Sequence, residues 1–252
     1  MCRVDDAGCT ETLLTEAAGV ALTTRSTGII RLVTGDRQPI IDPQFLPLLE
    51  LSLRDRLTGL FNRQALENSY ERIWTAMGQS LVNDDHKEDT GQVHTNERRH
   101  SGEFTACWLG VIDVDFFKRI NDTFGHMVGD EILILVARLL TQTFRRSDLV
   151  YRYGGEEFVA LIEAENVQTA RMIFDRVRTT VETYVFPRVE HLTISIGFAK
   201  ADPHVLPQEV FGRADRCVYH AKQQGRNQVH EYGDLIAQGI FVEQDSNDVE
   251  LF

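Results

Sequence analysis

The chain has 252 residues, 42% hydrophobic and 25% charged, which is enough apolar content for a sizeable core. Its net charge of −12 argues against bulk electrostatic attraction to DNA or to an anionic membrane, although local Lys and Arg or a metal can still hold a nucleotide. Cys2, Cys9, Cys107 and Cys217 form no CxxC pair, which fits a reducing cytoplasm; no run reaches the roughly 18 apolar residues of a membrane span, and the N-terminus lacks the pattern of a secretory signal.

Residues 1–42 form a segment of unassigned role, in which 11–20 reads as a short helix, 29–33 as a strand and Thr34-Gly35-Asp36 as a turn. Over 43–57, Phe45, Leu46, Leu49, Leu53 and Leu57 recur at three and four residues, the spacing of an amphipathic helix. A turn over 57–63 feeds a second helix to about Gly78. Residues 82–103 are polar; their histidines, His86, His94 and His100, match no helical or hairpin ligand pair, so a flexible, solvated insertion is the reading. The apolar run 107–114 suits a buried central strand and ends in Asp113-Val114-Asp115. Residues 129–144 form an amphipathic helix with Ile132, Leu135, Val136, Leu139 and Leu140 on one side. Then come a hairpin centred on Gly154-Gly155, a helix over 167–184 and a strand over 191–199. A helix over 207–224 is closed by Gly225, a short strand spans 228–232, and the acidic stretch 233–252 reads as a mobile tail. Strands alternating with helices, with one hairpin among them, predict an α/β (α+β) sandwich around a central mixed sheet flanked by helices.

Four constellations bear chemistry. Glu156 and Glu157 stand at the hairpin tip, and Asp113 at the C-terminal end of the buried strand, where open α/β sheets place their sites. If strand and hairpin are neighbours, Asp113 and Glu156 can meet one or two divalent cations; Asp115 reads as a strand-end residue exposed to water. Asn121 and Asp130 offer the acceptors and the amide that complement a guanine edge, against the alternative of a helix–turn–helix link with Asp130 as N-cap. Lys118, Lys222 and Arg226 suit a triphosphate, against solvated surface charge. Arg145 and Asp148 fit a surface salt bridge or a grip on a guanine or phosphate, and the residues alone favour the salt bridge.

Taken together, 55–63 (DRLTGLFNR), 113–118 (DVDFFK), Asn121-Asp122, Gly125-His126, Gly129-Asp130, 152–158 (RYGGEEF), Ser195-Ile196-Gly197, Ala214-Asp215, Tyr219, Ala221-Lys222 and Gly225-Arg226-Asn227 resemble the GGDEF-domain diguanylate cyclases, over about residues 50–232. The resemblance implies a fold akin to the class III nucleotidyl cyclase core, in a domain over 43–232, and condensation of two GTP into cyclic di-GMP with release of two pyrophosphates. By motif position it implies that Asp113, the Val114 carbonyl and Glu156 hold Mg²⁺ or Mn²⁺, and that Glu156 helps to deprotonate the attacking 3′-hydroxyl. It further implies that Glu157 supports the turn and the metal shell, that Asn121 and Asp130 read guanine with His126 nearby, and that Phe116, Phe117, Lys118, Lys222 and Arg226 line or bind the phosphate side. Arg145 and Asp148 match the family's RxxD product-inhibition site, with Arg176 as a second contact, and catalysis implies a homodimer. The signature is Gly-Gly-Glu-Glu-Phe rather than Gly-Gly-Asp-Glu-Phe, Gln64 replaces a frequent arginine, and the 82–103 insertion is longer than usual. A non-catalytic module that binds GTP or cyclic di-GMP is the competing reading, and the intact Asp113, Glu156, Asn121 and Asp130 weigh against it.

Overall fold

The computed structural model describes residues 52–85 and 106–242 and four short strands nearer the N-terminus. Those strands, β1 (Thr12–Thr15), β2 (Val20–Thr24), β3 (Ile30–Val33) and β4 (Pro39–Ile41), pair antiparallel in chain order. The helix expected over 11–20 is therefore replaced by strand, in keeping with the four β-branched threonines of TLLT and VALTT. The strand expected near 29–33 is β3. The chain divides into two compact units, Met1–Arg54 and Asp55–Phe252. The helix expected over 43–57 lies largely outside the described residues. Its far end is a turn instead, with Gly59 N–H donating to the Asp55 carbonyl at 2.9 Å and Asp55 N–H to the Leu60 carbonyl at 2.8 Å.

The second unit is built on a mixed sheet of six strands in the order β10-β9-β6-β8-β7-β5. These are β5 (Phe61–Asn62), β6 (Ala106–Val114), β7 (Leu149–Gly154), β8 (Glu157–Ala164), β9 (Ile194–Lys200) and β10 (Val229–Glu231). Strand β6 is antiparallel to β8 and β9, β7 is antiparallel to β8, and the two edge strands pair parallel. The helices are α1 (Arg63–Asp85), α2 (Phe117–Phe124), α3 (His126–Thr143), α4 (Val167–Thr183), α5 (Pro207–Gln223) and α6 (Tyr232–Ala237). The α/β sandwich with a central mixed sheet is thus the observed architecture. Among the described residues no helix is long and apolar enough to cross a membrane.

Alternation along the strands sorts the helices into two layers. Trp108, Ile112, Phe158, Ile162, Ile196 and Phe198 form one core with Ile132, Val136 and Leu140 of α3 and Phe174 and Val177 of α4. Gly110 sits on that face, where an added Cβ would lie 2.3 Å from the Phe174 ring. The opposite face meets α5 so closely at Gly197 that a Cβ there would lie 2.1 Å from the Ala214 carbonyl oxygen. Also on that face, Tyr151 OH of β7 donates to Ser69 Oγ of α1 at 2.8 Å. Cys217 is buried and Cys107 half-buried, both as free thiols.

Three boundaries differ from the sequence reading. Helix α1 runs on to Asp85 rather than stopping near Gly78, and the rest of the polar insertion lies outside the described residues. The strand expected over 191–199 begins at Ile194, after a small Phe186–Glu190 bridge. The stretch read as a mobile tail from Gly233 opens as α6, with Leu235 buried and the Glu231 carboxylate capping it by accepting from Asp234 N–H. The acidic end of that tail lies outside the described residues.

Candidate active site

The hairpin forms where its residues require. Strands β7 and β8 are joined by a turn in which Gly155 takes φ +49°, a conformation costly for residues with a Cβ. The turn is pulled onto the central strand, because Val114 N–H donates to the Glu156 carbonyl at 3.3 Å. In register, Asp113 faces Glu157 of β8 on one side and Ser195 of β9 on the other, so their side chains share a face. The strand and the hairpin are therefore neighbours, with Glu157 rather than Glu156 in register with Asp113.

Asp113 is only 4% exposed. Its Oδ2 lies 2.8 Å from Lys222 Nζ, while its buried Oδ1 has no hydrogen-bond partner. Burial pushes its carboxyl up to about 6, against the pull of Lys222 and with help from the charges of Glu156 and Glu157. Burial also raises Glu157, aided by Asp215 and Glu156 and opposed by Lys222. A buried carboxylate oxygen without a donor, beside further acids, is a donor set that suits a hard divalent cation. Among the described residues no three acidic, His or Cys side chains are close enough to enclose a metal by themselves. Asp113, with Glu156 and Glu157 close enough to raise its carboxyl, is the buried acid there that could hold such an ion.

Past the end of β6, Phe116 takes a left-handed φ of 58° and opens α2 without a side-chain cap. Its ring is 55% exposed, whereas Phe117 is 6% exposed and packs in the core. Only the main chain of Phe117 can therefore serve a phosphate, as one of the first N–H groups of a helix. Lys118 is exposed at the same end. Gly125, at φ +85°, turns the chain from α2 into α3. An added Cβ on Gly129 would lie 2.0 Å from Asn121 Oδ1, so the missing side chain lets Asn121 lie against the start of α3, next to Asp130. His126 and Asp130 are exposed there. Asp130 is not the N-cap, since the helix already begins at His126 after Gly125.

Lys222 and Arg226 arrive from the end of α5. Arg226 is itself left-handed at φ 68°, and its guanidinium sits 4.2 Å above the Phe116 ring. Asp115 departs from its reading as a water-exposed residue. It is 2% exposed and accepts from Thr193 Oγ1 and Ser195 Oγ at 2.7 Å each.

On the far side of the hairpin, Asp148 accepts from Arg145 N–H at 2.8 Å, and Asp148 N–H donates to the Arg145 carbonyl at 3.0 Å. Among the described residues no ion pair joins the two side chains, so the carboxylate closes a tight turn rather than a surface salt bridge. Burial raises the Asp148 carboxyl, opposed by Arg145 and by the charge of Arg176. Arg176 therefore faces the same turn; its guanidinium also donates to the Thr143 carbonyl at 3.1 Å.

One contact beside the site had no counterpart in the sequence reading. Arg152 donates twice to the Gly155 carbonyl, at 3.1 and 2.8 Å, and also pairs with Asp55 Oδ1 at 3.0 Å. Asp55 further accepts from Thr58 N–H at 2.9 Å and Thr58 Oγ1 at 2.7 Å. The turn that bears Glu156 is thereby tied to the start of the unit. Asp55 opens DRLTGLFNR and Arg152 opens RYGGEEF, 97 positions apart, and no local spacing links them.

The family described as "Diguanylate cyclase, GGDEF domain" matches residues 90–228, and the chain belongs to it. It is 34% identical over 181 residues to diguanylate cyclase DgcP of Pseudomonas aeruginosa, a match that covers 71% of this chain. It is 38% identical over 187 residues to the response regulator PleD of Caulobacter vibrioides, covering 72% of this chain. The matches span only 24% and 36% of those two relatives. Among solved structures it is similar to the coiled coil and GGDEF domain of DgcB from Caulobacter crescentus in complex with c-di-GMP. That likeness has a TM-score of 0.62 at 25% identity and covers 75% of this chain and 90% of that one. It is also similar to diguanylate cyclase SiaD of Pseudomonas aeruginosa in complex with its activator SiaC, at TM-score 0.60 and 30% identity, over 75% of this chain and 65% of that one.

Proposed function

We propose that the chain is a diguanylate cyclase that condenses two GTP into cyclic di-GMP. In each of two successive steps a 3′-oxygen attacks the α-phosphorus of the other GTP. The α–β phosphoanhydride bond breaks and pyrophosphate leaves. The observation that supports this most is the Asp113 carboxylate, with one oxygen paired to Lys222 and the other buried without a partner, directly beneath the Glu156 turn.

Asp113, the Val114 carbonyl and Glu156 are the residues suited to hold Mg²⁺ or Mn²⁺. When bound, such an ion would neutralise charge on the reacting phosphates. Glu156 accepts the proton of the 3′-hydroxyl, and Glu157 holds the turn through its strand pairing opposite Asp113. Lys118, Lys222, Arg226 and the main chain at Phe116–Phe117 bind the phosphates; Asn121 and Asp130 read guanine, with His126 at the rim. Each domain binds one GTP, so turnover needs two chains face to face as a homodimer. Arg145, Asp148 and Arg176 bind cyclic di-GMP and inhibit.

The test is chromatography and mass spectrometry of products after incubation with GTP and Mg²⁺, beside Glu156→Gln. Cyclic di-GMP from the unsubstituted chain alone supports the assignment. Folded, dimeric protein freed of bound nucleotide that makes no product would instead favour a binding module.

A further inference from the structure

The buried Asp115 carboxylate touches neither Asp113 nor any cation among the described ion pairs, yet it is saturated with donors. Oδ2 accepts from Thr193 Oγ1 at 2.7 Å and from Asn227 N–H at 3.1 Å, and Oδ1 accepts from Ser195 Oγ at 2.7 Å. Asp115 N–H in turn donates to the Thr193 carbonyl at 2.9 Å. A polar side chain is costly to bury unless it is hydrogen-bonded. Hydroxyls and one amide hold it here, so its use lies in what those donors fix.

They fix two strained stretches to each other. Phe116, adjacent in the chain, is left-handed at φ 58°, and Arg226 and Asn227, at φ 68° and 51°, are left-handed in succession. Residues with a Cβ hold such conformations only where their surroundings over-determine them. Asp115 supplies that restraint from one side. The other side is α4, where Arg178 donates to Asn227 Oδ1 at 2.9 Å and Asn227 Nδ2 donates to Glu182 at 2.6 Å. Both anchors hold Asn227, and the residue just before it is Arg226, whose guanidinium lies over the Phe116 ring.

We propose that Asp115 is a positioning residue for nucleotide binding: by gripping Asn227 N–H it holds the Arg226 guanidinium over Phe116 at the phosphate side of the site. This rests on the cyclase reading for the identity of the ligand, GTP, but not for the geometry.

The test is GTP binding by titration calorimetry with Mg²⁺, in full-length protein carrying Glu156→Gln to stop turnover. Asp115→Ala should weaken GTP roughly tenfold, the scale of a lost hydrogen bond to a charged group. Asp115→Asn, which keeps an acceptor but loses the charge and disturbs the packing less, should weaken it about threefold. In an Arg226→Ala background neither should add more than about twofold, because the effect passes through Arg226. Equal losses in both backgrounds would overturn the proposal, and so would a crystal structure of either variant with Arg226 still over Phe116. The cyclase reading is decided separately, by the product assay on the unsubstituted chain, and the crystal structure decides the positioning role whether or not the Glu156→Gln parent binds GTP.

Discussion

Replacing Arg152 with methionine should damage both stability and turnover, by separable amounts. The guanidinium makes two bonds to the Gly155 carbonyl and one to Asp55, and the side chains of the Arg152–Asp55 pair are 14% and 23% exposed. Breaking a fully buried pair costs about 3–5 kcal/mol, but this one keeps some contact with water, so about 2–3 kcal/mol is the expected loss. For a domain of this size that lowers Tm by roughly 5–10 °C. Turnover should fall further than stability explains. Gly155 precedes Glu156, and a misplacement of about 1 Å in a reacting group can cost on the order of 100-fold. The assay is a thermal melt beside the rate of cyclic di-GMP formation at saturating GTP and well below Tm. Asp55→Asn separates the two arms: it weakens the link to Arg152 but leaves the bonds to Gly155, so it should lower Tm with less than about a tenth of the rate effect. A native rate in Arg152→Met, or an equally slow Asp55→Asn, would refute the claim that the Gly155 carbonyl holds the catalytic turn.

The same junction makes a pH prediction. Burial acts to raise the Asp55 carboxyl, but hydrogen bonds from Thr58 and Arg152 outweigh it, and the group ends below its ordinary value of 3.8. A depressed acid stabilises the fold above its unfolded value and loses that contribution as pH falls through its folded one. The Tm difference between the native chain and Asp55→Asn should therefore be full above about pH 5 and shrink as pH falls below about 4 in melts across that range. Gly197→Ala should destabilise by about 1–3 kcal/mol in urea unfolding, since its Cβ would meet the α5 backbone at Ala214 and Val218, and a native midpoint would show that α5 can shift freely. Arg145→Ala should leave the initial rate intact and straighten late progress curves if cyclic di-GMP inhibits at this turn; unchanged curvature would place inhibition elsewhere.

What the sequence made legible was local. Gly154-Gly155 between two runs of strand formers located the hairpin, and an apolar run ending in Asp113 located the central strand. The α2–α3 turn was half visible: Gly125 marks it, but only packing reveals that Gly129 makes room for Asn121. Phe116 and Phe117 look alike in sequence, and it takes the left-handed turn at Phe116 to send one ring outward and the next into the core. Six residues of α6, beside an acidic end, give too short a period to separate from a tail, yet Arg213 and Arg216 cap the Tyr232 ring and bind it to α5. Strands β1 and β2 were not legible because short Thr- and Leu-rich runs satisfy helical and strand patterns alike.

Asp113 and Asp115 mark the limit most clearly. They are the same residue type, two positions apart at the end of one strand, and both are nearly inaccessible. Asp115 receives donors from residues 78, 80 and 112 positions away and is left with a structural task. Asp113 receives one ammonium on one oxygen and no hydrogen bond on the other, with burial, and then two glutamates, raising its pKa. A carboxylate becomes reactive or inert here according to how completely the distant chain satisfies it. That inventory of donors exists only once the sheet, α5 and the 225–227 turn have closed around the strand end.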